Sequence, residues 1–418
     1  MTNASTKPGP LAGLRVIEIS NRVGQFCGKQ LADFGADVIK VEPPGGVADR
    51  LVGPFYHDVP DPDRSLSFWH YNTSKRGVTL DLEREEGREI LRRLVAGADI
   101  LLESTRPGWL SSLGLTYESF AAEHPGLIMC SLTPFGQTGP WRDYLDSDML
   151  QLAAGGQMAG CGYDIGDDPA QQPIAPGGGN AYHMGGVFAY IAIMSAVFSR
   201  HMTGEGQYID VAVHEACALT TEAHVPTWIY LHNPVYRQTG RHAGNTPSPV
   251  NQLLTADGRY IQTTGSAMQP ARLGPLIEWM GREGRADDLA DPKYQDPAQA
   301  LEHRDHVMDV LREFVRSMPG DEAMQGGQEI AGVGWGLIRT PEEILGDEHF
   351  EQRGFFVPVE HPELGETFTY PGASGVFNAS PWRISRRAPL IGEHNAEVFA
   401  SVGIDPAALD QLRASGVV

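Results

Sequence analysis

Pro10-Leu-Ala-Gly-Leu-Arg-Val-Ile-Glu-Ile-Ser20, followed by Leu31-Ala-Asp-Phe-Gly-Ala-Asp-Val-Ile-Lys-Val-Glu-Pro-Pro44, reads as two buried strands joined by a short helix. Val16, Ile17 and Ile19 form one apolar β-branched run, and Val38, Ile39 and Val41 form a second about twenty residues later, which is the spacing of a βαβ unit in a parallel sheet. The chain therefore opens as an α/β domain. In such a domain a ligand sits at the carboxyl ends of the strands, here the loops Ser20-Asn-Arg-Val-Gly24 and Glu42-Pro-Pro-Gly-Gly46. The first turn, Asn21-Arg-Val-Gly-Gln-Phe-Cys-Gly28, has glycines only at 24 and 28 and lacks the G-x-G-x-x-G fingerprint, which disfavours an ordinary NAD site.

Outward from this start the pattern continues. Glu83 to Ala98 has the apolar spacing of an amphipathic helix through Ile90, Leu91, Leu94 and Val95, and Asp99-Ile-Leu-Leu102 returns as a strand. Leu127-Ile-Met-Cys-Ser-Leu132 supplies another strand. Gly185 to Arg200 reads as a helix apolar nearly all round, which predicts burial between layers or subunits. Residues 221–250 read as a linker, polar from Tyr230 to Pro249. Beyond it, Leu253 to Thr264 predicts a hairpin around Asp257-Gly258, residues from about 268 to 350 contain helical stretches, and Val357 to Gly365 opens a second β segment. The prediction is a Rossmann-like parallel-sheet large domain over residues 1–220 and a smaller α+β domain over 251–384.

The 418 residues, 41% of them hydrophobic, suffice for two cores. A formal charge of −21 argues against nucleic acid or an anionic membrane surface as partner. The four cysteines, Cys27, Cys130, Cys161 and Cys217, form no C-x-x-C pair, so neither zinc nor a disulfide framework is indicated, and a reducing cytoplasm is the expected location. The first nine or so residues lack a signal peptide's apolar core and read as a loose tail.

Seven segments give a more specific reading. They are Leu31 to Pro44; Asn72-Thr-Ser-Lys-Arg-Gly-Val-Thr-Leu-Asp-Leu82; Ala98-Asp-Ile-Leu-Leu-Glu-Ser-Thr-Arg-Pro-Gly108; Phe135-Gly-Gln-Thr-Gly-Pro140; Thr203-Gly-Glu-Gly-Gln-Tyr-Ile-Asp-Val211; Thr255-Ala-Asp-Gly-Arg-Tyr-Ile261; and Ala388-Pro-Leu-Ile-Gly-Glu-His394. In this order the chain resembles the family III CoA-transferases. The resemblance implies a large domain completed by residues 385–418, an interlocked dimer with a second copy or an unlike homologous subunit, and a CoA thioester and a carboxylic acid as substrates. Carried over by position, the CoA contacts fall on Val23 and Gly24, on Leu80, Asp81 and Leu82, on Ser104, Thr105 and Arg106, and on Leu145, Asp146 and Ser147. Arg106 reads equally well as a phosphate contact or as a surface arginine before a proline turn. Lys75 and Arg76 read as a second basic pair or as a solvated turn.

In the resembled family an aspartate in a Gly-Asp-x-x-x-Gly turn attacks the acyl-CoA thioester, and the departing thiolate then attacks the aspartyl carbonyl to give an enzyme-bound thioester. The matching stretch here is Gly178-Gly-Asn-Ala-Tyr-His-Met-Gly-Gly186, and the aspartate position falls on Tyr182. No Asp or Glu occurs from Pro169 to His201. Asp148 is the remaining catalytic candidate; its structural alternative is a cap on the helix carrying Met149 to Ala154. The residue before Asp148 is Ser147, so the His–Asp pair of the related racemases is absent. Three readings stay open: the aspartate-lacking subunit of a benzylsuccinate-type heteromeric transferase, a self-sufficient transferase using another carboxylate, and a non-catalytic CoA-binding partner. His183 reads as a general base or a hydrogen-bonded loop histidine.

Overall fold

The structure, a computed structural model, describes residues 7–164, 170–263 and 270–418. The N-terminal six residues of the expected tail and residue 264 of the expected hairpin lie outside these. The chain divides into two compact units: residues 1–157, 175–221 and 348–418, and residues 158–174 and 222–347.

The first unit is built on six parallel strands, β1 (Arg15–Ile19), β2 (Asp37–Glu42), β3 (Arg76–Thr79), β4 (Ile100–Glu103), β5 (Ile128–Thr133) and β6 (Gln207–Ala212), in the order β3-β2-β1-β4-β5-β6. This is the doubly wound order, and it reverses between β1 and β4, so the ligand crevice is expected at their carboxyl ends. The helices that matter to the site are α1 (Gln25–Asp33), α2 (Leu66–Tyr71), α3 (Glu85–Ala96), α4 (Asp148–Ala154) and α5 (Asn180–Thr203). Helix α3 buries Ile90, Leu91, Leu94 and Val95, the face its periodicity predicts. They join Ile17, Ile39, Val78 and Leu101 from the strands, and Val398, Phe399, Leu409 and Val417 from the C-terminal segment, in one core. That segment also clasps β3. Asn395 accepts from the Thr79 backbone N–H and donates to the Thr79 hydroxyl, both at 2.9 Å, and the Asp81 N–H donates to the Val417 carbonyl.

Helix α5 extends the expected 185–200 helix at both ends. Its buried face is mostly small residues, Ala181, Gly185, Gly186, Ala189 and Ala196, with Tyr182 and Ile193 beside them. A Cβ on Gly186 would stand 3.2 Å from the Cys27 backbone nitrogen in α1, so glycine is what lets the two helices meet. The opposite face carries Val187, Ile191, Phe198 and Met202, 42–71% exposed in the single chain.

Residues 356–371 were expected in the small domain. They form an antiparallel hairpin, Phe356–His361 with Glu366–Pro371, whose Val359 and Tyr370 pack on Phe68 and Trp69 of α2. Their apolar positions alternate, as a hairpin's do, but which core they cover depends on α2, nearly three hundred residues earlier.

The second unit holds three short antiparallel strands, Gln252–Leu254, Tyr260–Gln262 and Gly336–Leu337. Helices Pro270–Arg282 and Arg304–Arg316 pack over them around Trp279, Phe314 and Trp335. The expected hairpin around Asp257-Gly258 is the pairing of the first two strands.

Candidate active site

At the switch point the first loop is tied to the end of β4. Asn21 Oδ1 accepts from the Val23 N–H at 2.9 Å and from the Ser104 hydroxyl at 3.0 Å, while the Ser104 hydroxyl accepts from the Asn21 N–H at 3.0 Å. Gly24 has no room for a side chain, since a Cβ would lie 2.9 Å from Ser104 Oγ. Beside it, Thr105 turns both its N–H and its hydroxyl onto Glu103 Oε2 at 2.7 Å. Val23, Gly24, Ser104 and Thr105 are thus brought together at the crevice. Arg106 is exposed, with no side-chain partner among the described residues.

Leu80 and Leu82, at the exit of β3, are buried in the core, and the N–H groups of Leu80 and Asp81 are already given to Glu42 and Val417. The Leu82 carbonyl accepts from Arg88 and the Asp81 carboxylate from the Glu83 N–H, both at 3.0 Å, so this trio is largely occupied within the chain. Neither reading of Lys75 holds. Its side chain is fully buried under the first loop, with Nζ 2.9 Å from the Glu18 carboxylate, and Lys40 Nζ lies 3.3 Å from the same group. Burial pushes the Lys75 ammonium down to about 8 despite Glu18, whereas the two lysines hold Glu18 below the usual carboxylate range against its own burial. Arg76 pairs with Asp37 at 2.7 Å, on the side away from the crevice.

The segment around α4 is a capping assembly. Ser147 caps α4 through the Leu150 N–H, so Asp148 is not that helix's cap. Instead Asp148 Oδ1 accepts from the Ala181 N–H at 2.8 Å and the Tyr182 N–H at 3.4 Å, setting its charge on the positive end of α5. Asp146 accepts from the Tyr182 hydroxyl and from Gln151 Nε2, both at 2.7 Å. Leu145 is 90% exposed. Tyr182 therefore lies inside the first turn of α5, its phenol pushed up by burial and by Asp146.

In front of that turn is a cavity of about 240 Å³, lined by Arg22, Phe26, Asp49, Tyr71, Tyr182 and His183, with Gln25, Val52, Ser67, Gly178 and Gly179 completing its wall. The Arg22 guanidinium lies over the Tyr182 ring, 5.1 Å from its centroid. His183 Nε2 is 2.8 Å from the Tyr71 hydroxyl, and burial pushes the imidazole below its ordinary value, toward the neutral form. Asp49 is the one carboxylate among the lining residues. Its Oδ2 is buried without a hydrogen-bond partner, and burial pushes the carboxyl up against the pull of Lys40 and Arg22. The sequence named Tyr182 and His183 singly, Arg22 only as part of the first loop, and neither Asp49 nor Tyr71. These three come from a loop, a 3₁₀ turn and a helix end that carry only turn and capping signals.

A second cavity, about 350 Å³, opens at the carboxyl ends of β4 and β5 between Thr105, Gly108, Tyr117, Gln137, Arg142 and Tyr208. The smaller cavity is below the roughly 300–1,000 Å³ of sites for drug-sized ligands, so it suits a small acid or a thioester end but not a whole nucleotide.

The sequence pattern of CoA-transferase family III matches residues 11–395. The chain is 34% identical over 409 residues, covering 97% of each chain, to the succinyl-CoA:(R)-benzylsuccinate CoA-transferase subunit BbsE of Thauera aromatica. It is 32% identical over 414 residues, 98% of each, to the succinyl-CoA–D-citramalate CoA-transferase of Chloroflexus aurantiacus. Among solved structures, a CAIB/BAIF family protein from Brucella suis superposes with a TM-score of 0.80 at 29% identity, covering 95% of this chain and 100% of that one.

Proposed function

Because this chain belongs to CoA-transferase family III, we propose that it serves as one subunit of a two-subunit CoA-transferase, the one without the acyl-accepting aspartate. The reaction moves CoA from a donor such as succinyl-CoA to a carboxylic acid, in the cytoplasm, with a homologous interlocked chain as partner. One observation carries the assignment: at the start of α5 the expected aspartate position holds Tyr182, whose hydroxyl is engaged by Asp146, while Asp148 is held by the helix N-terminus. A phenol so placed cannot take over a carboxylate's acyl-transfer cycle.

In this reading the chain's own residues bind and orient. The carboxyl ends of β1, β3 and β4 hold the CoA, with Arg106 offering its guanidinium to phosphate. The small cavity takes the thioester end or the acid. The silent CoA-binding partner of the third reading is the limiting case in which neither ligand turns over. A self-sufficient transferase is the second reading, and the cavity directs it to Asp49 rather than Asp148, because Asp49 is the carboxylate among the residues lining that space.

The test is to incubate the purified chain, alone and with its co-encoded paralogue, with succinyl-CoA and hydroxylamine, and to read intact masses. A modified carboxylate on the partner only supports the subunit reading. An adduct on this chain alone sinks it.

A further inference from the structure

The first loop is held at both ends by buried ammonium groups that share one carboxylate. At its start Lys40 Nζ donates to the Ser20 carbonyl at 2.8 Å, and at its end Lys75 Nζ donates to the Gln25 carbonyl at 3.0 Å. Lys75 Nζ also donates to Asn72 Oδ1 at 3.0 Å and to the Glu18 carboxylate at 2.9 Å. An ammonium carries three N–H groups, and these three acceptors use all of them. A neutral amine carries two, so its lone pair would face the third acceptor, and in a fully buried site that loss is not made good. The other charged groups around Lys75 are Lys40 on β2 and Lys29 on α1, the latter paired with Asp33 at 2.8 Å. The Cys27 thiol on α1 is pushed well up by burial and stays neutral.

We propose that Lys75 is a positioning residue of the crevice: charged, it holds the first loop in the form that receives the CoA ligand, and neutral, it releases the Gln25 end. The middle of the loop is tied separately, by Asn21 to Ser104 at 3.0 Å, so the change is confined to the end that Lys75 holds. Gln25 lines the small cavity, and Val23 and Gly24 stand just before it, so slack at Gln25 reaches both sides of the loop. Burial brings the ammonium down to about 8 against the pull of Glu18, which puts the change within an accessible pH range. The identity of the ligand rests on the CoA-transferase reading.

The experiment is a calorimetric titration of the full chain with desulfo-CoA, which has no thiol to ionise, at steps from about pH 7.5 to about 9.5. The Kd is expected to rise about tenfold across this range in the unaltered chain, and in Lys75→Met to be weak and nearly flat. Thermal stability supplies the opposite sign. The folded lysine loses its proton near 8 and the unfolded one near 10.5, so the unfolded chain binds more protons between those values. The unaltered chain should therefore gain stability relative to Lys75→Met over that window while it loses affinity. A lysine that only supports the fold would weaken binding where the melting temperature also falls, and that result would overturn the proposal. So would a flat Kd in the unaltered chain, or the same pH dependence persisting in Lys75→Met; either leaves the CoA reading standing. Desulfo-CoA that binds at no pH would remove both. The titration of the unaltered chain decides the matter even where Lys75→Met does not fold.

Discussion

At the residue scale the chain keeps charge in its interior wherever the first loop needs support. Glu18 is flanked by Lys40 and Lys75 with all three side chains fully buried. Glu18→Gln would leave two buried ammonium groups without a counter-charge and is expected to cost about 3–5 kcal/mol, read from urea unfolding. Asp49 behaves in the opposite sense. Its folded-state value is raised above the ordinary 3.8, so the native state binds the proton more tightly than the unfolded chain, and stability falls as pH rises through the window just above 3.8. Asp49→Asn should therefore unfold at an equal or higher temperature than the unaltered chain at pH 7, and the difference should close as pH falls through that window. Neither role was legible beforehand. Lys75 looked like a surface turn residue because its partner Glu18 lies 57 positions away, and Asp49 sits in a short turn with no periodicity to reveal which way it faces.

At the scale of elements, the β-branched runs at 16–19 and 38–41 and the spacing of α3 were sufficient to place a parallel sheet, because strands covered on both faces are written as uninterrupted apolar runs. What local pattern does not carry is the close approach of one element to another. Gly186 is such a point: any side chain there meets the α1 backbone at Cys27 and the Phe26 ring. Gly186→Val is expected to cost about 1–3 kcal/mol through overpacking. Because Phe26 lines the cavity, the substitution should also weaken ligand binding, whereas a comparable loss of stability far from α1 should not. Paired thermal melts and binding titrations separate the two. The capping assembly around α4 was half legible. Asp148 was weighed as a cap on its own helix, where Ser147 takes that place, and the helix whose N–H groups it accepts from begins 32 residues later, across a segment with no recognisable period.

At the scale of the whole molecule, the exposed stripe of α5 bears on subunit assembly. Val187, Ile191, Phe198 and Met202 fall on one face at helical spacing and stay 42–71% exposed, an apolar stripe of the kind that marks an interaction face. We assign this face to the proposed pairing with a second chain. The double substitution Ile191→Glu, Phe198→Glu should shift the elution mass by light scattering from dimer to single chain, with the circular dichroism of the unit unchanged. A dimer that persists would remove this face from the interface. The family resemblance anticipated the return of the C-terminal segment to the large unit, which composition and periodicity alone did not, since it depends on contacts far apart in sequence.

The clasp of Asn395 and Val417 on the exit of β3 also sets an order in time. Asn395 leaves the ribosome 316 residues after its partner Thr79, which at roughly 5–20 residues per second is a wait of about 15–60 seconds. Throughout that interval Leu80, Leu82 and Leu91 lack the cover of Val398 and Phe399, while the inserted unit formed largely by residues 222–347 has already emerged and is able to fold. Defects in the last thirty residues should accordingly show first in yield and in dependence on chaperones during synthesis, before they show in the melting of whatever has matured.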